Sequence, residues 1–259
     1  MLTRPKWLTV VSAAVYLFMY LPIVILVLFS FEESKLAVHW TGFTLKWYHD
    51  LLTDEHIARA LLNSLTVGGI AVVVSGAMGT LAAVGLTRYH FRGIGLYRGL
   101  LFIPIIIPEI AMAVAALTLF VAIGLPLSLT TIIVSHIVFC TAYVALVVMG
   151  RVEGLDPHLE EAAQELGASP PAVFFKVTLP LIMPGVVAGC LLAFVLSLDD
   201  FIITQFTAGV GDTTLPLRIY SMVKFGVSPE INAISTLMIL FTIGITLIAE
   251  RIKKQGELQ

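Results

Sequence analysis

Residues 7–31 read WLTVVSAAVYLFMYLPIVILVLFSF, with no charged side chain from Trp7 to Phe31. At about 1.5 Å of rise per residue, a helix of this length exceeds the roughly 30 Å hydrocarbon core of a bilayer. A cleaved signal peptide has an apolar region of only about 7–15 residues, followed by a small-residue cleavage site. The run is longer and has no such site, so it is expected to stay in place as a signal anchor and first span.

Comparable runs recur along the chain, at about 60–87, 98–123, 130–150, 181–207 and 229–250. Of the 259 residues 58% are hydrophobic and 12% charged, with a mean hydropathy of +0.99. A soluble domain carries about 25% charged residues. The expected fold class is therefore all-α, a polytopic membrane bundle of six transmembrane helices forming a single transmembrane domain over 1–259. A β-barrel would show short alternating segments instead. The net charge of −2 gives no footprint for nucleic acid. Cys140 and Cys190 both lie in apolar runs and read as packing residues rather than a disulfide.

Basic residues set the orientation. Arg4, Lys6, Arg88, Arg92, Arg98, Arg151, Lys176, Arg251, Lys253 and Lys254 fall on one side of the six spans. Lys35, Lys46, Arg59, Arg218 and Lys224 fall on the other. The positive-inside rule then places both termini in the cytoplasm, in a multi-pass topology.

Two extramembrane segments are long enough to carry structure. Outside, TLKWYHDLL (44–52) has the spacing of a short amphipathic helix with Leu45, Tyr48, Leu51 and Leu52 on one face. Trp47 within it reads as an interfacial indole or as a substrate-facing aromatic. Inside, the loop 151–180 opens with Asp156-Pro157 as a helix start and Gly167 as a stop. Leu159, Ala162, Ala163 and Leu166 form a small apolar stripe there, while Glu160, Glu161 and Glu165 face elsewhere. Ser169 and Pro170 restart a second short helix that is expected to end before Leu179-Pro180. The pair is too small for a core of its own and suits docking in a partner's groove.

No phosphate-cradling G-x-x-x-x-G-K-[ST] sequence, H-E-x-x-H, C-x-x-C or G-x-S-x-G sequence is present. The chain shows no signature of an enzyme, a metal site or its own ATP hydrolysis. His136, alone in the fourth apolar run, reads as an interhelical hydrogen-bonder.

The intramembrane acids carry the remaining information. Glu109, Asp199 and Asp200 fall within spans, and apart from Arg98 at the start of the third no Lys or Arg lies inside any span to pair with them. Such acids stay protonated or await a cation. Pro104 and Pro108 should kink the third span beside Glu109 and free backbone carbonyls. In LSLDDFIITQF (196–206), helical spacing puts Ser197, Asp200, Thr204 and Thr207 on one polar stripe. Asp199 is turned about 100° away, among Leu196, Ile203 and Phe206. Asp200 is then expected on a wet pathway and Asp199 at its edge or at a helix contact. The other reading is that SLDD caps a helix restart, or that both acids are hydrogen-bonded and neutral.

EEAAQELGASPPAVFFKVTLP (160–180) resembles the EAA-loop signature of ABC importer permeases, E-A-A-x3-G-x9-I-x-L-P. Glu161, Ala162, Ala163, Gly167, Leu179 and Pro180 match it, and Val177 stands where Ile is usual. FTLKWYHDLL, YHFRG, SHIVFCTAYV, LSLDDFIITQF and LPLRIYSMVKFGVSPEINAIST extend the resemblance over nearly the whole chain, to the PotC-type permeases of spermidine/putrescine importers. The resemblance implies the six-helix MetI-like fold of type I importers, with 151–180 as the coupling loop. It implies a second, similar permease, two ATPase subunits on the EAA loops with ATP and Mg on those partners, and a periplasmic polyamine-binding protein. It places the substrate pathway at Trp47, Glu109, Ser197, Asp199 and Asp200. It places ATPase coupling at Glu161, Ala162, Ala163, Gly167, Leu179 and Pro180. Pro170 and Pro171 depart from the acidic or polar residue often found there, and Glu109 replaces a relative's Asp. The alternative function, a cation- or proton-coupled secondary transporter using the same acids, would be supported by inverted repeats, and none is visible.

Overall fold

The computed structural model describes residues 6–35, 40–224, 226 and 228–257, and among them there is no β-strand. Twelve helices follow in order: α1 (Lys6–Phe29), α2 (Lys46–Thr53), α3 (Glu55–Arg88), α4 (Ile94–Ile106), α5 (Glu109–Ala122), α6 (Leu129–Glu153), α7 (His158–Glu165), α8 (Pro170–Val173), α9 (Leu179–Asp199), α10 (Ile202–Thr207), α11 (Leu215–Val223) and α12 (Pro229–Glu257). Five stretches are long and apolar enough to cross a membrane: Trp7–Phe29, Glu55–Arg88, Leu129–Glu153, Pro170–Asp199 and Pro229–Ile248. The pair α4–α5 makes a sixth if counted as one broken span, bent by 110°.

Two of the expected spans are revised. The third is not a continuous helix. Ile107 adopts an extended backbone and Pro108 precedes the first turn of α5, so the run divides at Pro108 rather than merely kinking, while Pro104 stays inside α4. The fifth begins earlier and ends earlier than 181–207. Pro180 does not stop a helix, because α8 passes through a π-helical turn, Phe174–Thr178, directly into α9. A proline ring lacks the N–H for the carbonyl four residues back, and a wider local turn is a common way to absorb that defect. The helix then stops at Asp199, with Asp200 extended at ψ 126°, and resumes as α10.

The chain divides into two compact units. One comprises the residues up to Ala58 together with Arg218–Phe241. Its loop after α1 is closed by Glu32, whose side chain is fully buried. The Glu32 carboxylate accepts from the Thr41 amide at 2.8 Å, from the Thr41 hydroxyl and from the Ser34 amide. Phe31 stacks on Phe43, and Tyr48 meets Ser30 at 2.7 Å. Helix α2 forms as expected, but it turns Trp47 and Leu51 inward and leaves Leu52 84% exposed. Apolar α1 is exposed along its length, a surface for lipid or protein.

The other unit, Arg59–Leu217 with the residues from Thr242 on, holds the main core. Helix α6 is its centre and packs most extensively on α9. Ala83, Ala113, Phe139, Cys140, Val144, Val148, Ile182 and Ala193 form that core. Small residues allow the approach, as is usual between membrane helices. A Cβ at Gly79 of α3 would lie 2.8 Å from Val144 Cβ and 3.0 Å from the Ala145 amide nitrogen. Substituting Gly79→Leu is expected to destabilise the bundle by about 1–3 kcal/mol. Thermal unfolding in detergent measures this, and an unchanged melting curve would refute so close a contact.

Candidate functional site

The breaks after α4 and after α9 bring the intramembrane acids together. Glu109 opens α5, and α5 packs against α10. The first turn of a helix carries unsatisfied N–H groups and a positive dipole end, which favour an acid there. Glu109 and Asp199 are exposed within the chain, whereas Asp200 is 5% exposed. Glu109, Asp199 and Asp200 line one open groove of about 420 Å³ with Val195, Leu196, Phe201 and Ile202. The three carboxylates thus share one surface, with Glu109 contributed from α5 and Asp199 and Asp200 from the break between α9 and α10.

Asp200 forms the floor of this groove and is held from behind. Its carboxylate accepts from the Ile203 amide at 3.2 Å and the Thr204 amide at 2.9 Å, capping α10. It also accepts from the Thr204 hydroxyl at 2.7 Å and lies 3.1 Å from His136 Nε2. His136 Nδ1 is 2.7 Å from the Ser197 hydroxyl. His136, Ser197 and Thr204 are all buried. The polar stripe of Ser197, Asp200, Thr204 and Thr207 thus exists, but it faces α6, where the Thr131 hydroxyl donates to the Thr207 carbonyl at 2.7 Å.

The continuous-helix wheel had put Asp200 toward water and Asp199 beside it. The structure reverses their exposure, because the chain leaves helical geometry between them. His136 is the hydrogen-bonder expected from its isolated position, and its acid partner was not legible from sequence. Trp47 lies in the other compact unit and is 4% exposed, with its indole N–H donating to the Glu32 carbonyl at 2.6 Å. It is buried rather than interfacial.

The loop 151–180 folds as its caps require. The Asp156 carboxylate accepts from the His158 amide at 3.0 Å, and Gly167 ends α7 at φ +86°, where a side chain would be strained. Leu166 is 89% exposed, Ala162 exposed and Ala163 half-buried. Ala163, Leu166, Gly167, Ala168, Ser169, Ala172, Lys176 and Val177 line a shallow groove of about 520 Å³. Leu179 and Pro180 stand past the π-helical turn, in the first turn of α9.

Glu161 is exposed and lies 2.9 Å from His158 Nδ1. That hydrogen bond, with the charges of Asp156 and Glu161, raises the His158 pKa above its ordinary 6.5. A raised folded-state pKa means that the contact stabilises the loop fully below the ordinary value and fades as pH rises through the folded value. An imidazole NMR titration of the assembled protein should place His158 above 6.5 and return it toward 6.5 in Glu161→Gln. An identical titration in the two proteins would remove the contact.

Among the described residues no group of three or more His, Cys, Asp or Glu side chains is arranged to hold a metal ion. The family model described as binding-protein-dependent transport system inner membrane component matches residues 2–255. The chain belongs to that family. This permease is a multi-pass inner-membrane subunit of an ABC importer, a transport subunit and not an enzyme.

The permease is 44% identical over 249 residues to the putrescine transport system permease protein PotI of Escherichia coli K12, covering 93% of this chain and 88% of that one. It is 39% identical over 242 residues to the spermidine/putrescine transport system permease protein PotC of Haemophilus influenzae, covering 93% and 94%. In fold it is similar to a chain of a bacterial ABC transporter involved in the import of the acidic polysaccharide alginate. That match has a TM-score of 0.77 at 17% identity, covering 96% of this chain and 95% of that chain. The MetNI methionine ABC transporter matches with a TM-score of 0.61 at 21% identity, over 83% and 99%. These two likenesses are of fold alone.

Proposed function

We propose that this permease carries linear polyamines of the spermidine/putrescine class into the cytoplasm, driven by ATP hydrolysed on partner subunits. The groove of Glu109, Asp199 and Asp200 carries this reading. A polyamine is a row of ammonium groups separated by methylenes, so it needs separated carboxylates with apolar surface between them. Val195, Leu196 and Ile202 supply the apolar surface and Phe201 an aromatic face. A cation–π contact adds about 0.5–2 kcal/mol. Apart from Arg98 at the very start of the third, no Lys or Arg lies within the expected spans, so the substrate itself is the cation that the exposed carboxylates await. The names of the relatives at 39–44% identity support the same class.

Glu109 and Asp199 act as direct contacts. Asp200 and Ser197 act as the fixed wall behind them, and Trp47 pins the outer loop on the entry side. The partners are a second homologous permease, two ATPases docked on the EAA loops and a periplasmic polyamine-binding protein. Glu161, Ala162, Ala163, Gly167, Leu179 and Pro180 form the coupling segment, with exposed Leu166 as its apolar anchor. Adding single polyamines with the binding protein to the reconstituted complex is expected to stimulate ATP hydrolysis, while acidic oligosaccharides and methionine leave it at the basal rate. Equal stimulation by an anionic solute would overturn the assignment.

A further inference from the structure

Beneath the EAA segment, an ion pair joins the coupling helix to two membrane helices. Arg88 is the last residue of α3, and its Nε lies 3.2 Å from Glu160 Oε2 on α7. Arg88 Nη2 donates to the Leu155 carbonyl at 3.2 Å. The Thr178 hydroxyl, in the π-helical turn that leads into α9, donates to Glu160 Oε1 at 2.9 Å. The Arg88 and Glu160 side chains are only 14% and 17% exposed, so solvent screens them less than a surface pair.

Glu160 therefore touches both α3 and the start of α9 while sitting beside Glu161 of the EAA segment. Both helices are long and lead to the far side of their unit. At the other end of α3, Asn63 Nδ2 donates to the Thr213 carbonyl at 3.0 Å and the Ser64 hydroxyl accepts from the Leu215 amide at 2.8 Å. At the other end of α9 stand Asp199 and Asp200, in the carboxylate groove. We propose that Arg88 and Glu160 are positioning residues that transmit movement of the coupling helix to α3 and α9, so that ATP closure on the outside of α7 reaches the groove.

This inference rests on the reading of the EAA segment as the ATPase dock. A side chain that reaches two levers at once moves them together, while α7 also packs on the short α8 and the π-helical turn. Removing the pair should leave docking intact and loosen the link between hydrolysis and transport.

The test uses the full reconstituted complex and reads ATPase retention, hydrolysis rate and polyamine transported per ATP. Arg88→Gln and Glu160→Gln should retain the ATPase and hydrolyse ATP, with transport per ATP lowered about ten-fold, within the range of a coupled ion pair. The exchange Arg88→Glu with Glu160→Arg should recover most of the loss. Unchanged transport per ATP in both single variants overturns the proposal. Loss of the ATPase from both variants also overturns it, since the pair would then only shape the dock. Ala163→Trp serves as the independent control, expected to release the ATPase. If it does not, the docking reading fails, whatever Arg88 does.

Discussion

Glu109→Gln combined with Asp199→Asn is expected to reduce ATP-driven polyamine uptake by about 100-fold or more while leaving the permease assembled. A hydrogen bond to a charged group contributes about 1.5–3 kcal/mol, and about 1.4 kcal/mol is ten-fold in rate or affinity. Each exposed carboxylate that meets an ammonium group thus accounts for roughly a ten-fold effect or more. Both residues are exposed within the chain and line the groove without serving its packing. Their neutral amides keep shape and volume, so expression and thermal stability should match the wild type. Radiolabelled uptake into proteoliposomes measures the effect, and full uptake by the double variant would show that substrate does not pass these groups.

Asp200→Ala should instead fail at folding. The carboxylate is buried against His136 and holds the first amides of α10. Leaving a buried hydrogen-bond partner unsatisfied costs about 1–3 kcal/mol, and loss of the cap costs about 1 kcal/mol more. A large share of a domain's net stability, about 5–15 kcal/mol, would go with it. The variant is expected to melt well below the wild type in detergent and to assemble poorly. Asp200→Asn, which retains acceptor oxygen for the cap, should keep most of the stability. An Asp200→Ala protein with an unaltered melting curve would contradict the role of this residue as the fastener between α6 and the α9–α10 break.

Asp199 and Asp200 are adjacent in sequence; helical spacing separates their roles but assigns the exposure the wrong way round. The alternative reading, SLDD as the cap of a helix restart, is the one the structure shows for Asp200. The apolar runs, their approximate number and the caps at Asp156 and Gly167 follow directly from local chemistry, and the structure contains them. The EAA segment was legible because its residues lie close together in the chain. The helical wheel failed at Asp200 because it assumes one unbroken helix, and the helix ends at Asp199. Nothing in the apolar sequence marks the stop except the acid itself, whose capping role depends on a histidine 64 positions away.

Pro180 misleads in the opposite direction. A proline normally signals a boundary, yet a π-helical turn carries the chain through it. The Arg88–Glu160 contact spans 72 positions. In the sequence Arg88 counts only as one positive charge of the inner side, and Glu160 only as an acid facing away from the apolar stripe of the coupling helix. Such pairings are set by tertiary packing, which composition and periodicity do not encode.

The most direct test of the whole account is polyamine uptake by proteoliposomes holding this permease with its partner permease, ATPase subunits and binding protein. The account predicts accumulation that requires ATP inside, together with the binding protein outside, and that persists when ion and proton gradients are collapsed. Uptake driven by a proton or cation gradient without ATP would contradict it and establish a gradient-coupled transporter using the same carboxylates.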